Sequence, residues 1–315
     1  MSDTPEKNEE QCQGACSASG SSPAKKRTGR KWAIARHCVQ VLVLLFFLVP
    51  VVASGWAIMG TDLQGDPITE SVATPAQFAW SGTLSSSQIG PITLMDPFVF
   101  LQTVAASKTF DPAWLLAALV PLLVFGIVRG RAFCGWVCPV NLLLEIVDVW
   151  RKKVCPKHQL PEQRLPRHAK IGVAAAVLVL SLLVSIPVYE VLNPISFINK
   201  GLVFGSAVGG ITLLAIVLVD VFWGHRVWCR SLCPLGGFYE VLGKVGLVKV
   251  RIDHDACIKC GSCKKACIAA PEILDPALDG ECSRVCAGDC MVCGKCIDAC
   301  PVGTLGMEVS APGKK

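Results

Sequence analysis

Two cysteine runs lie near the C-terminus, Cys257-x2-Cys260-x2-Cys263-x3-Cys267 and Cys290-x2-Cys293-x2-Cys296-x3-Cys300-Pro301. Three thiolates at this spacing on a tight loop wrap three corners of a [4Fe–4S] cubane. In proteins with two such runs, the fourth cysteine ligates the other cluster. The pattern therefore groups Cys257, Cys260, Cys263 and Cys300 around one cluster, and Cys290, Cys293, Cys296 and Cys267 around a second. Four thiolates also suit zinc, but zinc usually takes two CxxC pairs well apart rather than consecutive runs. Ile268 stands where the second run has Pro301, which predicts a less rigidly turned first loop with no ligand lost.

Two C-x3-C-P pairs precede these runs: Cys134/Cys138 before Pro139, and Cys229/Cys233 before Pro234. Cysteines at i and i+4 share one helix face, and the proline turns the chain away. Four such thiolates can hold a third Fe–S cluster or another metal centre, act as redox thiols, or simply pack. Cys12 and Cys16, in a polar tail, read as incidental thiols, and Cys282 and Cys286 read as incidental rather than as spare ligands. Asp220 is the only acid inside an apolar segment, a place where a carboxylate suggests function unless it pairs with nearby Arg226. His225 titrates near neutrality and is a second candidate for proton transfer, against the plainer reading of an interfacial histidine.

The segments that must position these residues are unusually apolar. The 315 residues are 52% hydrophobic and 17% charged, and the mean hydropathy of +0.51 is too high for an ordinary soluble protein. Residues 38–59, 113–128, 171–188 and 206–223 read as four transmembrane spans. Residues 97–106 are apolar but too short to span. Residues 140–150 read as a short amphipathic helix with Leu142, Ile146 and Val149 on one side and Glu145 and Asp148 on another. Basic residues crowd 25–36, 129–170 and 226–265, whereas loops 60–112 and 189–205 carry only Lys108 and Lys200. The positive-inside rule then puts both termini in the cytoplasm. Neither outer loop holds a cysteine, so most of the 18 cysteines read as cofactor ligands rather than disulfides. The tryptophans mostly flank the spans, as an aromatic belt does.

The net charge of +6 is explained by membrane orientation rather than nucleic acid. There is no C-x-x-C-H for c-type haem and no P-loop. The expected fold is mainly α: a four-helix transmembrane bundle of two parallel helix-pair repeats, followed by a small α+β 2[4Fe–4S] domain. Its divisions are a disordered tail (1–31), a membrane domain (32–248), a cluster domain (249–309) and a short tail (310–315). The repeat pairs Asp96-Pro97 with Asn193-Pro194, each followed by a span, basic residues and a C-x3-C-P.

Taken in order, Asp96-Pro97, Cys134 to Pro139, Asn193-Pro194-Ile195-Ser196, Asp220, Cys229 to Pro234 and both cysteine runs resemble the NapH family over residues 32–308. NapH is the ferredoxin-type membrane subunit of periplasmic nitrate reductase systems. The resemblance implies a multi-pass protein of the bacterial inner membrane that oxidises quinol. It implies electrons passed through a NapG-like Fe–S partner, and a membrane-anchored cytochrome c, towards a periplasmic reductase, nitrate reductase first among them. Related membrane ferredoxins serve nitrous oxide reduction, methylamine oxidation and oxidase maturation. The competing reading is an assembly factor that reduces or delivers metal to a respiratory enzyme through the thiol pairs.

Overall fold

The computed structural model describes residues 30–53, 80–154, 165–196 and 207–310. Cys12, Cys16, the tail 1–29, residues 60–79 of the first outer loop and Lys200 lie outside these residues. The elements run α1 (Lys31–Ala53), β1 (Trp80–Gly82), β2 (Ser86–Ile89), β3 (Ile92–Met95), α2 (Pro97–Ser107), α3 (Pro112–Val128), α4 (Ala132–Trp136) and α5 (Pro139–Val154). They continue with α6 (Ala169–Val184), α7 (Val188–Leu192), α8 (Ala207–Phe222), a π-helical turn (Trp228–Leu232), α9 (Pro234–Gly243) and β4 (Val248–Ile252). The chain ends with α10 (Ser262–Ala266), a 3-10 turn (Pro271–Leu274), α11 (Asp275–Asp279), α12 (Lys295–Ala299) and β5 (Leu305–Val309).

Helices form at all four segments expected to span, but their lengths differ. Among the described residues only α1 is long and apolar enough to cross a membrane, over Lys31–Pro50, while α3, α6 and α8 stop at 17, 16 and 16 residues. The four-span bundle is thus matched in the position of its helices and not in their length. The hairpin sheet β1-β2-β3 was not foreseen; its strands are short and mostly exposed, without a hydrophobic alternation to announce them.

The chain folds into two compact units, neither continuous in sequence: residues 1–37, 125–136 and 239–315, and residues 38–124 and 137–238. In the first, β4 and β5 pair antiparallel from Val248↔Val309 to Ile252↔Leu305. Their buried faces join Ile268, Ile273, Leu274, Val285, Met291, Val292 and Ile297 in one core. Residues 125–136 are built into this unit by two arginines. Arg129, fully buried, donates to the carbonyls of Val248, Val285 and Ala287. Arg131 donates to Asp289 at both its carbonyl (3.1 Å) and its carboxylate (2.8 Å), and both side chains are 1% exposed. Buried charges persist only when paired and hydrogen-bonded, so these two arginines are structural clamps. Close approach is allowed by glycine: a Cβ on Gly246 would sit 2.7 Å from Arg129 Cα.

The second unit buries polar and charged side chains among its apolar ones and exposes many large apolar ones. Gln102, Ser181, Lys170, Asn193, Asp220 and Arg226 are buried, while Leu116, Leu123, Leu183, Ile211, Leu214 and Phe222 are exposed. The amphipathic helix α5 follows this rule and reverses the naive expectation. Asn141, Leu144, Glu145 and Asp148 form its buried stripe, whereas Ile146 (58%), Val149 (54%) and Trp150 (62%) face out. The two Asx-Pro segments have one local structure. Asp96 accepts hydrogen bonds from the amides of Phe98 (2.8 Å) and Val99 (3.4 Å) to cap α2, and Asn193 accepts from the amide of Ile195 (3.0 Å). Proline at the first helical position and an Asx cap before it suit a helix start. Buried Ser85, Ser196 and Asn193 then form a closed hydrogen-bond network with half-buried Glu190, with Ser85 Oγ 2.7 Å from Ser196 Oγ.

Candidate iron–sulfur and thiol sites

The two C-terminal cysteine runs have the same backbone. Lys259 and Gly261 in the first (φ 50° and 70°) match Val292 and Gly294 in the second (47° and 74°). Each run thus turns through left-handed residues on either side of its second cysteine, and each then enters a five-residue helix, α10 or α12. Glycine takes such φ without strain, whereas Lys259 and Val292 are held there by the loop. The fourth cysteines are also alike: Cys267 (φ −67°, ψ 121°) and Cys300 (φ −78°, ψ 115°). Ile268 therefore does not loosen the first run. It is 3% exposed and packs in the core, which fixes the turn that Pro301 fixes by its ring.

The expected grouping of ligands is visible in their surroundings. Cys257, Cys260, Cys263 and Cys300 line one pocket, with Ile252 and Leu305 among its apolar walls. Burial raises the Cys263 thiol pKa, and the neighbouring Cys300 and Cys257 raise it further. In the second set burial pushes Cys267 up to about 12, with Cys293 and Cys290 adding to it. Burial raises Cys296 well above the ordinary thiol value, and Cys293, Cys290 and Cys267 act in the same direction. The fourth cysteine of each run thus sits with the three of the other. Thiols crowded this way in a dry site resist ionisation, and bound metal would deprotonate them outright. The residues present fit two [4Fe–4S] clusters.

Cys282 and Cys286 belong to the loop that pairs with β4. The Cys282 carbonyl lies 3.1 Å from His254 Nε2, and the Cys286 thiol faces the Arg284 carbonyl at 3.7 Å. Trp32 and Trp136, read from sequence as belt residues, pack edge to face on the second run. Trp136 Nε1 donates to the Val292 carbonyl at 3.0 Å, and a Cβ on Gly294 would collide with Trp32. Nothing in their spacing signals this, since the contacts cross more than 150 residues.

The C-x3-C-P pairs do not lie on continuous α-helices. Helix α4 ends at Trp136, before Cys138, and the second pair winds as a π-helical turn closed by Cys233 N–H to the Trp228 carbonyl at 2.8 Å. Pro139 and Pro234 start the next helices rather than stop the previous ones. Cys138 and Cys233 therefore stand at helix starts, where unpaired N–H groups favour a thiolate, and the Gly236 amide already donates to Cys233 Sγ (3.4 Å). Both influence buried Tyr189, whose hydroxyl is raised well above its ordinary pKa, first by burial and then by Cys233 and Cys138. Cys134 lies in the other compact unit and packs against the core around the cysteine runs.

Asp220 and His225 meet a third residue that the sequence did not single out for chemistry. Asp148, Asp220 and His225 each bring a ligand-type atom within 4.8 Å of the others. Asp148 lies 3.1 Å from His225 Nδ1, 3.3 Å from Arg226 Nε and 3.4 Å from Arg151. Arg226 also donates to Asn141, and of the two readings open for Asp220 a side-chain pair with Arg226 is not the one formed. Asp220 is 2% exposed and neither carboxylate oxygen has a side-chain partner. Two guanidinium groups offset the two carboxylates, which suits proton handling better than holding a cation.

These features define an iron–sulfur electron carrier with an appended apolar, inward-polar helical unit. A family model described as "4Fe-4S binding domain" matches residues 110–158 and 206–253, so each match contains one C-x3-C-P. The methylamine utilization ferredoxin-type protein MauN of Methylorubrum extorquens is 33% identical over 89% of this chain and 89% of its own length. MauN of Paracoccus denitrificans is 33% identical over 84% and 85%. The ferredoxin-type protein NapH of Escherichia coli K12 is 31% identical over 70% of this chain and 76% of its own. No solved structure is significantly similar. The chain belongs to the NapH- and MauN-like ferredoxin-type proteins. The double match also agrees with the internal repeat, since one model fits both halves.

Proposed function

We propose that this protein is a four-span subunit of the bacterial inner membrane, with both termini cytoplasmic, that takes electrons from quinol. It passes them singly through two [4Fe–4S] clusters to a NapG-like Fe–S partner, with a membrane-anchored cytochrome c as a further carrier, towards a periplasmic acceptor. The observation that carries the reading is a pair of ferredoxin-spaced cysteine runs, four of whose thiols line one pocket, in a chain that buries charged and polar side chains while exposing large apolar ones. A chain that buries Asp220 and Arg226 while exposing Leu183 and Phe222 is arranged for a lipid surround. Helices of 16–17 residues reach about 25 Å, and each ends close to residues outside the described ones or to a polar turn.

Oxidation of the quinol breaks two O–H bonds, releases two protons and yields two electrons, which the clusters accept one at a time. Asp220, buried without a side-chain partner, and His225 are the proton acceptors within this reading. Nitrate reductase is the acceptor suggested by the NapH likeness. A second reading is favoured by the MauN likeness, which extends over more of the chain: there the electrons, or a reduced or delivered metal, serve the maturation of an amine-oxidising enzyme.

The test is direct. A quinol analogue added to the oxidised, purified protein is expected to bleach the cluster absorbance. Inert clusters with metal bound at the C-x3-C-P thiols would replace electron transfer by the maturation reading.

A further inference from the structure

We propose that Asp148 is the positioning residue of a proton relay in which Asp220 takes the proton given up by quinol and His225 passes it to solvent. The inference rests on the quinol reading above. It begins at the last turn of α8, where Asp220 is 2% exposed and its carboxylate has no side-chain partner. A carboxylate kept in an apolar segment without a pairing side chain is costly, and such groups mark proton paths. Its oxygen lies within 4.8 Å both of a His225 ring nitrogen and of an Asp148 oxygen. His225 is the open end of this set, with its side chain 33% exposed. Asp148 stands beside both and fixes the imidazole, with Oδ1 3.1 Å from His225 Nδ1. The three residues come from α5, from α8 and from the loop after α8, all within one compact unit.

Each member has the state its role needs. Asp148 stays ionised, because His225, Arg226 at 3.3 Å and Arg151 at 3.4 Å outweigh the effect of its burial. His225 is held neutral and ready to accept, by burial first, then by Arg226 and Arg230, with Asp148 opposing. Lys170, reaching in from α6, is held 3.2 Å from the Arg230 carbonyl. A carboxylate on Nδ1 fixes the tautomer, leaves the other ring nitrogen to exchange protons, and stabilises the imidazolium when it forms. The guanidinium groups hold Asp148 in place and take no part in the transfer, since arginine does not lose its proton. Where the members are not in direct contact, the gap is one that a single water spans. When a quinol O–H bond breaks, its electron goes to a cluster and its proton forms an O–H bond on Asp220. That proton then passes to the imidazole, giving an imidazolium beside the Asp148 carboxylate, and leaves for solvent. All three residues return to their starting charge before the second proton follows.

The experiment is stopped-flow bleaching of the oxidised, cluster-loaded protein by a short-chain quinol analogue, from about pH 5 to pH 9, across the range in which imidazole titrates. Dithionite, which supplies electrons without a quinol proton, is the parallel reductant. Asp148→Asn is expected to slow bleaching by quinol at least about tenfold near pH 7.5, within the range that positioned proton transfer contributes. Its acid limb should move to lower pH than that of the wild type, because the carboxylate that favours the imidazolium is gone. Asp148→Glu should keep most of the rate, and dithionite should reduce every variant alike. A wild-type rate in Asp148→Asn, or a loss that is equal at every pH with the limb unmoved, would overturn the proposal. Should Asp148→Asn fail to load iron, His225→Gln decides, since it leaves Asp148 with its arginines. A slow rate without the acid limb supports the relay, and a wild-type profile overturns it. A wild type whose clusters dithionite reduces and quinol does not would overturn the quinol reading and the relay together. A wild type that quinol bleaches, with Asp148→Asn unaffected, would overturn this inference alone.

Discussion

Burial separates His225 from an ordinary interfacial histidine. Its pKa is lowered from the usual 6.5, first by burial, with Asp148 opposing and Arg226 and Arg230 assisting. Asp148 is lowered from 3.8, because His225, Arg226 and Arg151 outweigh the effect of its burial. For His225 the folded pKa lies below the unfolded one, so the unfolded chain binds the proton first, and stability falls as the pH drops below about 6.5. For Asp148 the stabilisation is complete above 3.8 and is lost only as the pH falls through its depressed value. Thermal unfolding in detergent is therefore expected to show a lower midpoint at pH 5.5 than at pH 7.5, with His225→Gln reducing that difference. An unchanged difference in the variant would remove His225 as the cause. The sequence exposed His225 and Asp220 through their neighbourhood of apolar residues. Asp148 was legible only as the polar side of a helix, because its partner Arg226 is 78 residues away. The spacing of the eight ferredoxin-type cysteines could be read from the sequence, and the two runs share one backbone conformation.

Elements were predicted better by existence than by orientation. Helices occur where four apolar runs and one amphipathic run are found, yet α5 turns its acids inward and its apolar side chains outward. Periodicity identifies two faces of a helix. It cannot say which is buried when the surround may be lipid. The clamp between Arg131 and Asp289 was similarly hidden, for each residue alone reads as a surface charge. Asp289→Ala would take its carboxylate partner from a buried guanidinium, and losing one partner of such a pair costs about 3–5 kcal/mol. A large fall in the thermal midpoint, with cluster absorbance lost in the same transition, is expected because Cys290 follows directly. A change below about 1 kcal/mol would mean that the pair behaves as a surface bridge.

At the scale of the whole molecule, the divisions expected from sequence follow chain order, whereas the compact units do not. The unit around the cysteine runs takes in residues 1–37 and 125–136, so Cys134 falls in it while Cys138, Cys229 and Cys233 fall in the other. No local pattern announces this, because it arises from long-range grips such as those of Arg129 and Asp298. It sharpens the question of what the C-x3-C-P cysteines do. Cys138 and Cys233 come from different halves of the repeat, each stands at a helix start, and both act on the same buried tyrosine. If they serve one centre, Cys138→Ser alone should lose about as much quinol-dependent reduction of the partner as Cys138→Ser/Cys233→Ser together, because parts of one site are not additive. Two thiols that merely pack should instead give small, additive losses of about 1 kcal/mol each. Each variant is to be followed with the two C-terminal clusters monitored separately, and Cys134→Ser belongs in the same series. Its packing against the cluster core predicts a shifted spectrum of one of those clusters, which Cys138→Ser and Cys233→Ser should not show. Full activity in the Cys138/Cys233 double variant, with both clusters intact, would reduce the motif to packing.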